Sequence, residues 1–374
     1  MKRIIIIGAG AGGLFCAIKC KELMNNVDVI VLEANKQPLK KLLATGNGRC
    51  NLSNKSLSFD QYNGEVTKPI QEIISQFDDQ KEFLEEGLLT KWMGNLLYPA
   101  SEQAKSVAEV LLDRAHHLGI AILTEQTVIS LKENNQGYKI ICEQASYDAD
   151  FVVLAMGSQA GLLSTENDRQ KIIGNLLPMV PFRPSLTQMY TSPVLKSLKG
   201  VRVKAIVKLM DQDALLSCEK GELLFTDYGV SGICVMQLSR FYKPGCHLEI
   251  DMMPSLEEEK LEAILKKSPL TRPLMGLVNT KIEQYLFKNK EPVRTLKNLK
   301  LSITGLRDYK TSQVMQGGVV VRALDDNLES KHHPGLFVIG ELLNVTGNCG
   351  GYNLHFAFAS AKHVANAIEG IINA

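Results

Sequence analysis

The chain has one tryptophan, no cysteine pair spaced as CxxC, and no apolar run near the ~20 residues that span a bilayer. Without CxxC spacing its 8 cysteines suggest neither a zinc site nor a thioredoxin-type motif, and no metal is expected. They are Cys16, Cys20, Cys50, Cys142, Cys218, Cys234, Cys246 and Cys349. Several stand in apolar runs, where a thiol packs as a small hydrophobe, so a reducing, cytoplasmic setting is the simplest reading. Charge of one sign is also lacking. Lys and Arg total 42 against 40 Asp and Glu, so no strong field draws the chain to nucleic acid or to an anionic membrane. There is no repeat and no low-complexity segment. Ile4–Ile7 follows Lys2 and Arg3 like a leader peptide, but the run stops at Gly8, and a buried strand is the better reading.

What is present is ample apolar residue, 45% of 374 positions, enough for two or three domains with a sizeable core. Ile4–Ile7 reads as a buried parallel strand, Leu14–Met24 as a helix and Val27–Leu32 as a second strand, together a βαβ unit. Residues 36–68 are polar, contain glycine and lack periodicity, which reads as a long functional loop. Pro69 opens a helix whose apolar face is Ile70, Ile73, Ile74 and Phe77. Ser101 is the expected N-cap of a helix that ends at Gly119, and Ile120–Leu123 is the next strand. Phe151–Ala155 is a further buried strand. From about 180 to 250 alternation dominates, as in Val201–Val207, and predicts a β-rich domain. Ser255 and Glu258 have the spacing of a capping box, and the apolar pattern to Leu286 predicts a small helical insert. Leu301–Thr304, Gly317–Arg322 and Leu336–Ile339 read as strands, and residues 352–372 as one helix. The expected domains are 1–180 with 316–374, 181–253 with 299–315, and 254–298.

The pattern Gly8-x-Gly10-x-x-Gly13 lies between the first strand and helix, with Glu33 about twenty residues on. Gly8 makes the turn, Gly10 lets backbone approach a pyrophosphate, and Gly13 lets helix pack on strand. The helix start offers free N–H groups and a positive dipole end to phosphates. Glu33 can accept both ribose hydroxyls of an adenosine. A bound dinucleotide is therefore expected.

Three later elements choose between dinucleotides. Gly335–Glu341 is a strand ending in Gly-acid and resembles the second FAD motif of glutathione-reductase-like flavoproteins, with Glu341 in place of the usual Asp. Gly347–Asn353 begins the last helix, whose N-terminus would stabilise negative charge on a reduced flavin. Val153–Ser158 resembles the crossover segment before the second domain. A nicotinamide dehydrogenase would not need the C-terminal part, so the expected cofactor is FAD.

Five segments carry a closer resemblance: Leu42-Leu43-Ala44-Thr45-Gly46-Asn47-Gly48-Arg49-Cys50-Asn51, Gly221-Glu222-Leu223-Leu224-Phe225-Thr226-Asp227-Tyr228-Gly229-Val230-Ser231-Gly232, Gln316-Gly317-Gly318-Val319, Glu329-Ser330-Lys331, and Gly340-Glu341-Leu342-Leu343 followed by Cys349-Gly350-Gly351-Tyr352-Asn353-Leu354. Nearly the whole chain resembles the HI0933-like flavoproteins, which include BaiN-like and aminoacetone-oxidase-like enzymes. Departures are Asp227 for the family's His, Ile233 for Pro, Asn344 and Thr346 for acids, and His355 where Gln is frequent. The resemblance implies an α/β fold of the two-dinucleotide-binding-domain flavoprotein type: a Rossmann-like FAD domain, a β-barrel-like insert domain and a small helical domain. It also implies that the 40s loop lies along non-covalent FAD, with Arg49 at the pyrophosphate or by the flavin.

The expected cofactor-binding residues are Gly8, Gly10, Ala11, Gly13, Glu33, Ala34 and Lys41; Gly46, Gly48, Arg49, Cys50, Asn51 and Val128; Ala155, Met156 and Gly157; and Gly340, Glu341, Gly350, Gly351, Tyr352 and Asn353. Cys50 and Cys349 read as packed thiols. The catalytic group is not identified. Tyr352, Asn353 and His355 are the substrate-side candidates, His355 as a general base. The expected activity is hydride transfer between a small molecule and flavin N5. The resemblance gives it two forms, an aminoacetone-oxidase-like amine oxidase and a BaiN-like enone reductase with NAD(P)H as a transient donor. The alternatives are a tRNA-modifying flavoprotein and a non-catalytic FAD-binding redox sensor. The expected partner is a small-molecule substrate, with no nucleic acid and no membrane, in a monomer or homodimer.

Overall fold

A computed structural model describes residues 1–161, 169–288 and 291–374. Ile4–Ile7 is β-branched and buried on both faces, which suits a central parallel strand. The strand Lys2–Ile7 pairs in parallel with Val27–Leu32 on one side and Phe151–Leu154 on the other, placing Ile6 between Val31 and Val153. Leu336–Val338 pairs outside Phe151–Leu154, and Ala121–Leu123 outside Val27–Leu32, completing five parallel strands. The first helix, Ala11–Leu23, lies against the last, Tyr352–Asn373: a Cβ on Gly12 would sit 2.9 Å from the Ala357 carbonyl oxygen, and Phe15 meets Phe358 edge-on at 5.2 Å. Both ends of the chain thus build one α/β domain.

Contacts divide the chain into two compact units, residues 1–183 with 315–374, and residues 184–314. The second unit holds a closed barrel of six strands: Met189–Ser192, Gly229–Ser231, Ala214–Phe225, Arg202–Asp211, His247–Asp251 and Leu299–Leu306. Ala205, Val207 and Leu209 are fully buried, whereas Arg202, Lys204 and Lys208 are exposed, the period of two that the sequence shows. Among the described residues four α-helices accompany the barrel: Ile233–Leu238, Glu258–Lys267, Thr280–Phe287 and Pro292–Lys297.

Several local expectations are corrected. The 36–68 stretch is not one loop; it contains the short helix Lys40–Leu43, a turn of 3-10 helix at Thr45–Gly48 and the strand pieces Ser53–Asn54 and Tyr62–Gly64. Ser101 does not cap a helix. Glu102 has φ +55, which interrupts helical geometry, and the helix runs Ala104–His117 from an N-cap at Gln103. Ser255 caps nothing either. Lys297 donates to the carbonyls of Met253 and Leu256 and holds that stretch in a turn, so Glu257 is the N-cap. The strand expected at 317–322 runs instead over Val314–Val319. An antiparallel sheet of Val128–Asn134, Gly137–Cys142 and Ser146–Ala149, and the helix Ile233–Leu238, were not anticipated.

Candidate functional site

The site is built where strands end and helices begin. Gly8 has φ +113, and a Cβ there would lie 2.5 Å from the Ala155 carbonyl oxygen. A Cβ on Gly13 would lie 1.9 Å from the Gly8 carbonyl oxygen. Backbone therefore packs on backbone at both positions. Gly10, the N-cap of Ala11–Leu23, differs: a Cβ there meets nothing within 4 Å. That open space fronts the helix start, where first-turn N–H groups lack intrahelical acceptors.

Glu33 is buried at the end of its strand. Its carboxylate accepts from the Ala9 N–H at 2.9 Å and from the Asn35 N–H and Nδ2 at 2.8 and 2.6 Å. A carboxylate has about four acceptor positions, so one remains for a ribose hydroxyl. Ala34 follows it directly, half-buried. The Gln126 N–H donates to the Glu33 carbonyl at 2.8 Å, which brings the segment leading to Val128 beside it. The Val128 side chain is itself buried, so this segment offers a ligand its main chain.

Lys41, Ser158 and Glu341 converge. The Lys41 Nζ donates to Glu341 Oε2 at 2.5 Å, the Ser158 hydroxyl donates to the same oxygen at 3.3 Å, and a Cβ on Gly157 would lie 3.8 Å from it. Ala155 and Met156, which lead into this group, are half-buried and pack against the core, and the Ala155 N–H donates to the Ile7 carbonyl.

The 45–51 loop is tightly wound, with positive φ at Gly46, Asn47, Gly48 and Cys50. The Cys50 thiol is fully buried, and burial pushes its pKa up to about 12, as befits a packed thiol. Arg49 stacks over Tyr98 at 4.7 Å and pairs with Glu102, which also binds Lys91 at 2.7 Å. Its charge is thus already met by a protein carboxylate, and a pyrophosphate would have to displace it. Asn51 Oδ1 is buried with no hydrogen-bond partner. A Cβ on Gly351 would lie 2.9 Å from that oxygen and 2.6 Å from the Ser53 carbonyl oxygen, and the Asn54 Nδ2 donates to the Gly350 carbonyl at 2.9 Å. The loop and the start of the last helix therefore meet.

The substrate-side candidates are engaged within the protein. Tyr352 is buried edge-on to Tyr62 at 5.7 Å, and burial raises its pKa. The Asn353 amide accepts from the Gly347 N–H at 2.8 Å and donates to the Gly347 carbonyl at 2.9 Å, so it braces the turn before the helix. His355 is fully buried. Its Nε2 meets the Ile74 carbonyl at 2.8 Å, and its Nδ1 meets Asp79 at 2.9 Å and the Ser53 hydroxyl at 3.0 Å. Both ring nitrogens are used, and the expectation of a general base there is corrected to a structural role. Sequence reasoning missed Ser53, Gln61 and Asp79, which belong to no recognisable motif, and did not single out Ser158 and Asn348 within the Val153–Ser158 and Gly347–Asn353 segments. Asn348 is 6% exposed; its Nδ2 donates to Gln61, and its Oδ1 has no partner.

This arrangement fits FAD. Open space lies at Gly10, an acceptor is spare on Glu33, and two buried amide oxygens, on Asn51 and Asn348, await donors such as hydroxyl or imide N–H groups.

A family profile described as the HI0933-like protein Rossmann domain matches residues 2–367. The 3-dehydro-bile acid delta(4,6)-reductase of Clostridium scindens is 32% identical, with 96% of this chain and 97% of that protein covered. The ribosomal RNA dihydrouridine synthase of Haemophilus influenzae is 30% identical over 98% of both. The fold is also that of the Escherichia coli quinol fumarate reductase subunit FrdA, with a TM-score of 0.55 at 16% identity, covering 99% of this chain and 71% of that one. A 3-ketosteroid delta1-dehydrogenase from Sterolibacterium denitrificans has a TM-score of 0.51 at 11% identity, covering 99% of this chain and 100% of that one.

Proposed function

The chain belongs to the HI0933-like family, and from that premise we propose that it is an FAD-dependent oxidoreductase that reduces a carbon–carbon double bond conjugated with a carbonyl. One observation carries this reading. The two full-length relatives at 32% and 30% identity bear names that share a single bond change, since a steroid delta-reductase and a dihydrouridine synthase each add two hydrogens to an unsaturated, carbonyl-conjugated bond.

FAD, when bound, supplies the hydride chemistry. The chain's own residues bind and orient it. The first turn of Ala11–Leu23 faces the diphosphate and Glu33 the adenosine ribose. Glu341, positioned by Lys41 and Ser158, serves the ribityl chain. Asn51 and the helix start at Gly350–Tyr352 serve the flavin end. The dipole of the last helix favours negative charge at that end, and so favours the reduced state. NAD(P)H is the donor this reading requires.

The test is product analysis. The purified yellow protein is incubated without oxygen with NADH or NADPH and a conjugated steroid dienone. A product two mass units heavier supports the reading. Nicotinamide oxidation without such a product, or aminoacetone turnover with oxygen, removes it. A second reading, reduction of uridine in ribosomal RNA, is favoured by the Haemophilus relative and by an Escherichia coli protein of the same name at 25% identity. Dihydrouridine formed in RNA, with no reduction of the dienone, would select it.

A further inference from the structure

The barrel carries a side-chain cluster that cofactor binding leaves unused. Tyr190 sits in the strand Met189–Ser192 between two buried residues, Met189 and Thr191, and is itself 39% exposed, so it stands on the outer face. Its cross-strand neighbours are both glycines, Gly229 and Gly305. Neither adjoining strand therefore puts a side chain against the Tyr190 ring at that register, and even a Cβ on Gly305 would come no nearer than 3.9 Å. Tyr228 lies beside it, ring centres 5.8 Å apart and planes at 73°. The Thr226 hydroxyl oxygen pins the Tyr228 turn by accepting from the N–H groups of Tyr228 and Gly229, at 3.4 and 3.1 Å.

Arg307 lays its guanidinium over the Tyr228 ring at 4.5 Å. Among the described residues no carboxylate is ion-paired with it, and its Nε is buried without an acceptor. Asp227, the acid nearest in sequence to Tyr228, is taken by Lys199 at 2.6 Å. The Tyr228 and Tyr190 side chains also hydrogen-bond to this guanidinium, and its fork of five N–H donors outnumbers those two partners, leaving donors for a carboxylate. The open-sided Tyr190 ring beside it suits a flat, apolar skeleton. Tyr228 lies in the Phe225–Gly232 segment that the family resemblance singled out, and Asp227 there replaces the family's His.

We propose that Tyr190, Tyr228 and Arg307 form a recognition site for a carboxylate carried on a flat, unsaturated small molecule. All three residues lie within the compact unit of residues 184–314, so the site goes beyond the reductase reading and is tested apart from it.

The test measures binding, not turnover. Oxidised, FAD-loaded protein without nicotinamide is titrated by calorimetry with 3-oxochol-4-en-24-oate and with its uncharged methyl ester. The acid should bind about tenfold more tightly than the ester, the scale of one charge-assisted hydrogen-bonded pair. Arg307→Met should erase that preference while flavin content stays at wild-type level. Arg307→Lys, which keeps the charge and loses the fork, should restore only part of it. Tyr190→Leu should weaken acid and ester by the same factor. Equal binding of acid and ester by the wild type, or an undiminished preference in both Arg307 variants, overturns the site. An Arg307-dependent affinity for a uridine oligonucleotide that exceeds affinity for the acid also overturns it, by assigning the oxyanion to phosphate. If the dienone is never reduced yet binding depends on Arg307, the reaction falls and the site stands. Reduction with no dependence on Arg307 gives the converse.

Discussion

Alanine at two glycines of the same fingerprint separates folding from cofactor binding. At Gly13 the new Cβ would sit 1.9 Å from the Gly8 carbonyl oxygen and 3.2 Å from the Ala155 Cβ. The obstacle is backbone, which cannot rotate aside, so the cost lies at or above the upper end of overpacking, about 3 kcal/mol. At Gly10 the Cβ meets nothing within 4 Å, and φ is −81, ordinary for any residue. There the loss of a glycine N-cap and the gain from a stiffer unfolded chain roughly cancel, to within about 1 kcal/mol. The same Cβ points into the space read as the pyrophosphate's, so Gly10→Ala should weaken FAD binding about tenfold or more, 1.4 kcal/mol. The assay is urea unfolding of the FAD-free proteins, followed by fluorescence of the single tryptophan. Trp92 lies in the same compact unit as both glycines, so it reports the relevant transition. FAD affinity is measured by recovery of flavin fluorescence on release. A wild-type midpoint for Gly13→Ala, or a Gly10→Ala protein that loses stability yet keeps FAD, refutes the reasoning.

Three further outcomes are expected. Glu33→Gln leaves one acceptor oxygen for the Ala9 and Asn35 donors and the ribose, and FAD affinity should fall about tenfold; unchanged affinity takes Glu33 out of the cofactor site. His355→Gln disturbs buried bonds to Asp79 and Ile74 and should cost about 2–3 kcal/mol of stability in the same unfolding assay. The rate of flavin reduction per bound FAD should stay unchanged, and a collapse in that rate at full FAD occupancy would return His355 to catalysis. A thiol reagent at about pH 8 should label exposed Cys218 in the native protein and spare buried Cys50, because burial raises the Cys50 pKa from 9.0 to about 12. A raised folded-state pKa means that the Cys50 contribution to stability is complete below the unfolded value of 9.0 and is lost as pH climbs towards 12. Early modification of Cys50 at about pH 8 contradicts its burial.

How far the site can be read from sequence depends on how local its causes are. Ile4–Ile7, the glycine turn and Glu33 are one contiguous βαβ unit, so hydrophobic run, glycine spacing and acid position together specify it. The barrel strand Arg202–Asp211 is legible because one face is buried and the other charged. The sheet over residues 128–149 is not, because its first strand ends in the polar run Lys132, Glu133 and Asn134 and buries only Val128 and Leu131, which do not alternate. Helix starts failed where the backbone was decided elsewhere, by the positive φ of Glu102 and by Lys297 gripping the turn before Glu258. The His355 contacts join residues 276 and 302 positions apart, which no local pattern encodes. Asn51 was found through its motif; Asn348, with the same unpartnered buried oxygen, lies in a stretch where the family pattern breaks at Asn344 and Thr346.

The most direct test of the reductase reading separates the acceptor from the donor. The bound flavin is reduced with dithionite under anaerobic conditions and mixed in a stopped-flow instrument with a conjugated steroid dienone, with a saturated ketone as control. Rapid return of the yellow colour with the dienone alone is the predicted result. A flavin that stays bleached with the dienone, and recolours only when air is admitted, contradicts it.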